Sequence, residues 1–157
     1  MVVVSTPINH TRFAELASPL IGLTVTAPWL GDYTALYLEI GPLTDNYSHS
    51  GLPKAPYSAY FGFDWTLESR VGQEFSSTDA GAATRIVDAL SGQQVTGVEV
   101  TPSWELVFAL GSEQRLRSLS TDERHEWTLY LPSGSWLAVE ANSLVLEAES
   151  PRLPLRT

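Results

Sequence analysis

The stretch Ile86–Gly111, IVDALSGQQVTGVEVTPSWELVFALG, restates a pattern found seventy positions earlier, and this constrains the fold more than any other feature of the chain. Ile86, Leu90, Gly92, Val95, Thr96, Leu106, Phe108, Leu110 and Gly111 fall on Leu16, Leu20, Gly22, Val25, Thr26, Leu36, Leu38, Ile40 and Gly41. A second echo, Asp64-Trp65-Thr66-Leu67 and Glu126-Trp127-Thr128-Leu129, is offset by sixty-two. The first copy therefore carries eight more residues before its Trp, and the spacing places that excess between Gly41 and Tyr57. A chain written twice must build one supersecondary unit twice.

At 157 residues the chain has the length of one ordinary domain and buries a core without staples. Nothing Gly/Ser-rich or charged divides the copies, so residues 1–157 read as a single domain with repeats over about 6–76 and 77–150. Residues 150–157, broken by Pro151 and Pro154, read as a tail. A hydrophobic content of 43% describes a globular chain. Its longest apolar runs fall far short of the roughly 20 residues that span a bilayer. Met1–Val4 is too short and too neutral for a signal-peptide core, which predicts a cytoplasmic protein. Arginine outnumbers lysine eight to one, pointing to a GC-rich bacterial genome.

Along the chain, Thr6-Pro7 predicts a helix start, with Pro19 and Gly22 as its stop. Residues 23–28 predict a strand, and Trp29-Leu30-Gly31-Asp32 a turn. Over Ala35–Ile40, Leu36, Leu38 and Ile40 alternate with Tyr37 and Glu39, the period of a strand with one buried face. Residues 42–57 hold three prolines before a closing tyrosine and show no periodicity, which predicts a long loop, a place where function collects. Residues 58–68 alternate again, with Phe61, Phe63, Trp65 and Leu67 on one face. Ser77–Asp79 supplies caps for a second helix ending at Gly92. Strands follow over 95–100, 104–110, 125–131, 136–140 and 144–149, with 113–124 a weak strand plus loop. These elements predict an α+β fold: a duplicated helix-plus-antiparallel-strands unit, its helices on one face of a mostly antiparallel sheet.

Several chemistries are excluded. With no cysteine there are no disulfides, no thiolate catalysis and no Cys-based metal site. His10, His49 and His125 form no metal motif, and no cofactor fingerprint, phosphate loop or nucleophile elbow is present. The best enzymatic constellation is Asp45, Ser48 and His49 in the long loop, joined by Asp64 from the next strand, where a carboxylate beside an imidazole makes a general base. This is the alternative reading, a small hydrolase or ligand-binding enzyme. Its competitor is a solvated loop using Asp and Ser to turn.

Charge supports a different reading. Eighteen acidic against nine basic side chains leave a formal charge of −9, which disfavours nucleic acid and anionic membrane and favours a basic protein partner. If the Trp faces turn inward, Asp64, Glu68, Glu105, Glu126, Tyr130 and Glu147 face outward together, with Tyr47 and His49 from the long loop beside them. Such a surface docks a basic protein through charge and a tyrosine anchor. The competing account is a solvated, aggregation-resistant sheet face. Of the five tryptophans three begin or sit within alternating apolar faces, so core packing is the stronger account of them, and Trp29, in a Pro-Trp-Leu-Gly turn, is the one to check for exposure. In general character, small, acidic, cysteine-free and without catalytic motifs, the chain is similar to bacterial immunity proteins that neutralise toxin domains. The expectation is a non-enzymatic, immunity- or antitoxin-like binding domain without cofactor or metal. A homodimer through an exposed edge strand is the third reading.

Overall fold

The computed structural model describes residues 2–31, 35–47, 53–62, 64–69, 72–111, 113–120 and 125–150. Their elements, in chain order, are β1 (Val2–Pro7), α1 (His10–Ala17), β2 (Val25–Leu30), β3 (Leu36–Ile40), β4 (Thr44–Tyr47), β5 (Pro53–Lys54), β6 (Tyr57–Phe61), β7 (Trp65–Ser69) and β8 (Gly72–Ser76). The second half continues with α2 (Ala83–Leu90), β9 (Val95–Val100), β10 (Leu106–Leu110), β11 (Gln114–Ser118), β12 (Trp127–Tyr130), β13 (Trp136–Glu140) and β14 (Ser143–Ser150). Seven strands form one antiparallel sheet in the order β1-β14-β13-β12-β6-β3-β2, and five form another in the order β8-β7-β11-β10-β9. β4 and β5 pair as a separate ribbon.

The expected α+β arrangement is therefore corrected to a mostly β fold of two sheets. The reason is one of size. Each helix has eight residues, about 12 Å of length, whereas a seven-stranded sheet is about 29 Å wide. Two such helices leave most of an apolar sheet face bare. The second sheet covers it: Phe61 of the first and Phe108 of the second meet edge to face at 5.9 Å, and inward residues of both sheets join one core with Trp65, Trp127, Leu67 and Leu129. Burying each of the large side chains contributes about 1.5–3 kcal/mol.

The helices form where periodicity puts them, with altered ends. Thr6 and Pro7 belong to β1, a strand the sequence reading lacks, and Asn9 caps α1 instead, its side-chain oxygen accepting the Arg12 N–H at 2.8 Å. Phe13 and Ala17 in α1, like Ile86 and Leu90 in α2, are four apart and buried. Trp29 and Leu30 extend β2 rather than turning. Gln114–Ser118 is a full strand, and the 42–57 loop contains the β4–β5 pair.

The two halves build the same unit in the same register. Val25, Ala27, Pro28, Trp29 and Leu30 oppose Ile40, Glu39, Leu38, Tyr37 and Leu36, while Val95, Gly97, Val98, Glu99 and Val100 oppose Leu110, Ala109, Phe108, Val107 and Leu106. Both ladders shift register at the same place, leaving Thr26 and Thr96 as the extra residue. The halves clasp reciprocally: Gly22 N–H donates to the Val95 carbonyl and Gly92 N–H to that of Val25, each at 2.8 Å, about the Thr24–Gln94 bridge. Helices and strands are then exchanged. α1 packs on β9 and α2 on β2. β7 leaves the first half to pair with β11, and β12 leaves the second to pair with β6. Ile40 and Tyr57, partners in the first half, are seventeen positions apart, against four for Leu110 and Gln114. The step from Phe61 to Trp65 is four, against nine from Ser118 to Trp127. The eight-residue excess is thus an insertion of thirteen in one half offset by five in the other.

Among the described residues no helix is long and apolar enough to cross a membrane.

Candidate functional site

The exchange of strands decides which side chains share a face. Directly opposed residues of a ladder point the same way, as do residues two apart on one strand. Across the seven-stranded sheet one row runs Trp29, Tyr37, Tyr60, Thr128, and the next runs Glu39, Ser58, Tyr130, Trp136, Glu147, Ser5. Between them on the opposite face lie Leu38, Ala59, Leu129, Leu137 and Leu146, turned to the core. The outer face is accordingly paved with rings. Trp29 and Tyr37 stack at 4.0 Å and 4°, Tyr37 and Tyr60 lie 5.0 Å apart, and Tyr130 and Trp136 6.4 Å apart. These five aromatics span five adjacent strands, about 19 Å. Gly31 permits the first stack, because a Cβ there would stand 2.8 Å from the Tyr37 ring.

Carboxylates surround the rings. Glu39 is 8% exposed and accepts hydrogen bonds from the Ser58 hydroxyl and the Ala55 N–H. Burial raises its carboxyl above the ordinary value of 4.5, opposed by those two hydrogen bonds and by Lys54. Glu147, opposite Trp136, is 6% exposed, and burial, then hydrogen bonding and charge repulsion from Glu140, raise it also. The Tyr60 phenol is pushed up by burial first, then by Tyr37, Glu126 and Tyr130, so it stays a neutral donor at physiological pH. An open cavity of about 340 Å³ gathers Tyr60, His125, Glu126, Trp136, Glu140 and Glu147. The Nδ1 atom of His125 is buried there with no hydrogen-bond partner among the described residues. A larger cavity of about 560 Å³, between the β4–β5 ribbon and the β12–β13 turn, holds Lys54 as the one charged side chain of its described lining.

No Lys or Arg lies on any of the seven strands, which carry Glu39, Glu140, Glu147 and Glu149. The five-stranded sheet differs at the equivalent positions. Where one face has Trp29, Tyr37, Tyr60, Ser58 and Tyr130, the other has Glu99, Val107, Arg117, Arg115 and Glu68. There Arg115 meets Glu99 at 3.3 Å and Arg117 meets Glu68 at 3.9 Å, so charges of both signs lie beside the buried Val107 and Thr66.

The residues expected on one acidic face divide between the sheets. Glu126, Tyr130 and Glu147 lie together on the aromatic face. Glu68 lies on β7 and Glu105 just before β10, both in the five-stranded sheet, and Asp64 lies at the crossing into β7, where its carbonyl accepts the Leu119 N–H at 2.8 Å. Asp45 and Tyr47 belong to β4 by their backbone, but their side chains, like the whole of His49, lie outside the described residues. The proposed Asp45–His49–Asp64 constellation is thus not assembled from described groups. Tyr37, Glu39 and Tyr60 point outward as their alternation indicates, yet they join the face only because β6 pairs with β12. Trp136 reads from the sequence as core and is instead half-buried in the outer aromatic row.

Among the described residues no three His, Asp or Glu side chains are placed to hold a metal ion. No family model matches the chain, and no curated protein or solved structure was found similar to it.

Proposed function

We propose that this protein is a non-enzymatic recognition domain that docks a basic protein segment on the outer face of its seven-stranded sheet. The observation that carries this is the contrast between two faces built in the same register. The fold itself makes no demand for outward aromatics, because the five-stranded sheet satisfies the same positions with Glu99, Val107, Arg117 and Glu68 and pairs its charges internally. On the other face Trp29, Tyr37 and Tyr60 adjoin in one run, Tyr130 and Trp136 form a second pair, and no strand of the sheet carries Lys or Arg. Half-buried Tyr and Trp give large, rigid contact area, and carboxylates steer and orient a cationic partner. Arginine and lysine also stack on such rings. Rings and carboxylates of this kind suit neutralisation of a basic toxin domain, an immunity-like role, as one instance of the same chemistry.

The test compares the two faces with a fluorescently labelled peptide of alternating arginine and glycine. Glu126→Lys with Trp136→Ala should weaken binding at least tenfold and reduce its salt dependence, while Glu68→Lys with Glu99→Lys should shift it less than threefold. Equal losses from both faces, or tighter binding of an uncharged oligosaccharide than of the peptide, would overturn the assignment.

A further inference from the structure

We infer that the cavity between β6, β12, β13 and β14 is a pocket for one arginine side chain, with Glu140 and Glu147 as the counter-charge to its guanidinium and the Trp136 and Tyr60 rings as its apolar wall. This rests on the recognition reading of the same face and names the group that face selects. Its size is the first argument. At about 340 Å³ it lies at the lower end of ligand pockets and suits one extended side chain, not a large cofactor.

The second argument is an unanswered charge. Glu147 is more than nine-tenths buried and lines the cavity, yet among the described residues the side chain acting on its charge is another carboxyl, that of Glu140. Buried carboxyls are ordinarily met by a cation or by several donors, since an unpaired one is costly. No strand of this sheet carries Lys or Arg, and among the described residues no Lys or Arg pairs with the Glu147 carboxyl. Burial, and then the neighbouring Glu140, hold the Glu147 proton more tightly than a free carboxyl does, and an incoming cation favours its release.

Arginine fits better than lysine for a geometric reason. A guanidinium is planar, lies flat on a ring and offers donors in a fork that engages two carboxyl oxygens, whereas an ammonium is a strongly hydrated point charge. The titratable groups facing the site are Tyr60 from β6, His125 and Glu126 from the segment entering β12, Glu140 from β13 and Glu147 from β14. Among the described lining residues no cationic lysine or arginine competes for the pair. Because a bound cation favours the ionised form of Glu147, affinity rises with pH as Glu147 ionises.

The probe is N-acetyl-arginine methylamide, titrated onto the full chain and followed through the Trp136 indole N–H and the backbone amides of β12, β13 and β14 in 1H–15N spectra. Expected are saturable shifts confined to those groups, at least tenfold weaker binding of the lysine analogue, no shifts with the uncharged citrulline analogue, and tighter binding at pH 7.5 than at pH 5. Glu147→Gln should weaken binding tenfold or more with the spectrum still dispersed, and Glu140→Gln provides the same measurement on an exposed residue. Absence of saturation, equal affinity for the lysine analogue, or unchanged affinity in both variants would overturn the pocket. A basic peptide that still prefers this face while both variants bind it normally would sink the pocket and leave the face standing. Arginine binding in the cavity with no preference of the peptide between the two sheets would do the reverse.

Discussion

Gly62 is the position where a single methyl group should reveal how tightly the crossing between the sheets is built. A Cβ at Gly62 would lie 2.4 Å from the Glu126 Cβ, 2.7 Å from its Oε2 and 2.9 Å from its carbonyl oxygen. The side chain cannot swing away from a contact made at its own Cβ. Nor can the carbonyl retreat freely, because it accepts the Gly62 N–H at 2.6 Å. The equivalent position in the other half is Leu119, whose N–H donates to the Asp64 carbonyl at 2.8 Å, so the backbone path itself accepts a side chain. What requires glycine is Glu126. Overpacking of this kind costs about 1–3 kcal/mol, which for a domain of this size lowers Tm by about 2–12 °C. Urea unfolding of Gly62→Ala should show a lower midpoint with an unchanged slope. Gly81→Ala is the control, since nothing lies within 4 Å of a Cβ there, and it should match the wild type. Because Glu126 lines the cavity, Gly62→Ala should also weaken binding of the arginine analogue. A midpoint equal to that of the wild type would refute the packing argument.

Other perturbations separate further terms. Ser118 is 3% exposed and its hydroxyl accepts the Leu106 N–H at 2.8 Å, so Ser118→Ala leaves a buried donor unpaired and should cost about 1–3 kcal/mol by urea denaturation. The Thr26 hydroxyl donates to the Gly41 carbonyl at 2.8 Å across the register shift, whereas Thr96 at the matching site is exposed. Thr26→Val should therefore cost about 1 kcal/mol and Thr96→Val near zero, and equal effects would contradict this account. Glu39 and Glu147 are both raised above 4.5 in the folded protein, chiefly by burial. The folded state then holds their protons more tightly than the unfolded chain, so the stability they contribute is complete below pH 4.5 and is lost as pH rises through their folded values. As pH rises above 4.5 the unfolding midpoint of a Glu39→Gln/Glu147→Gln variant should fall less than that of the wild type; parallel curves would show that the burial argument fails.

How much of this was legible in the sequence depends on whether a feature is local. The repeat at offsets of seventy and sixty-two marks the units that recur in register, and the alternation of Leu36, Leu38 and Ile40 sets an inward face correctly, whereas the single strand expected over 58–68 divides into β6 and β7 of different sheets, with Phe63 outside the described residues. The second helix follows from Ile86 and Leu90 at helical spacing, whereas the first is placed by Thr6-Pro7 and its stop at Pro19 and Gly22; its buried pair, Phe13 and Ala17, is not singled out, and β1 takes Thr6 and Pro7 because β14 offers it a partner. The α+β expectation failed on a non-local fact. Alternation shows that a strand has one apolar side but not whether a helix or another sheet covers it. The outer face was misassembled for the same reason. Asp64–Glu68 and Glu126–Tyr130 match in the repeat, which suggested a common surface. Positions matched by the reciprocal clasp fall on opposite sheets, so Tyr130 joins Tyr60 and Tyr37, while Glu68 joins Arg117. No periodicity within either half reports that exchange.

The central claim, that one of two registered faces is the recognition surface, is tested most directly by photo-crosslinking from equivalent positions. A benzoylphenylalanine placed at Tyr60 and, in a separate protein, at Arg117 samples the same ladder site on the two sheets. In cells that express the protein, the account predicts an adduct to a basic polypeptide from position 60, lost on adding Glu126→Lys, and none from position 117. Adducts of equal yield from both positions, or an adduct at 60 that survives Glu126→Lys, would contradict it.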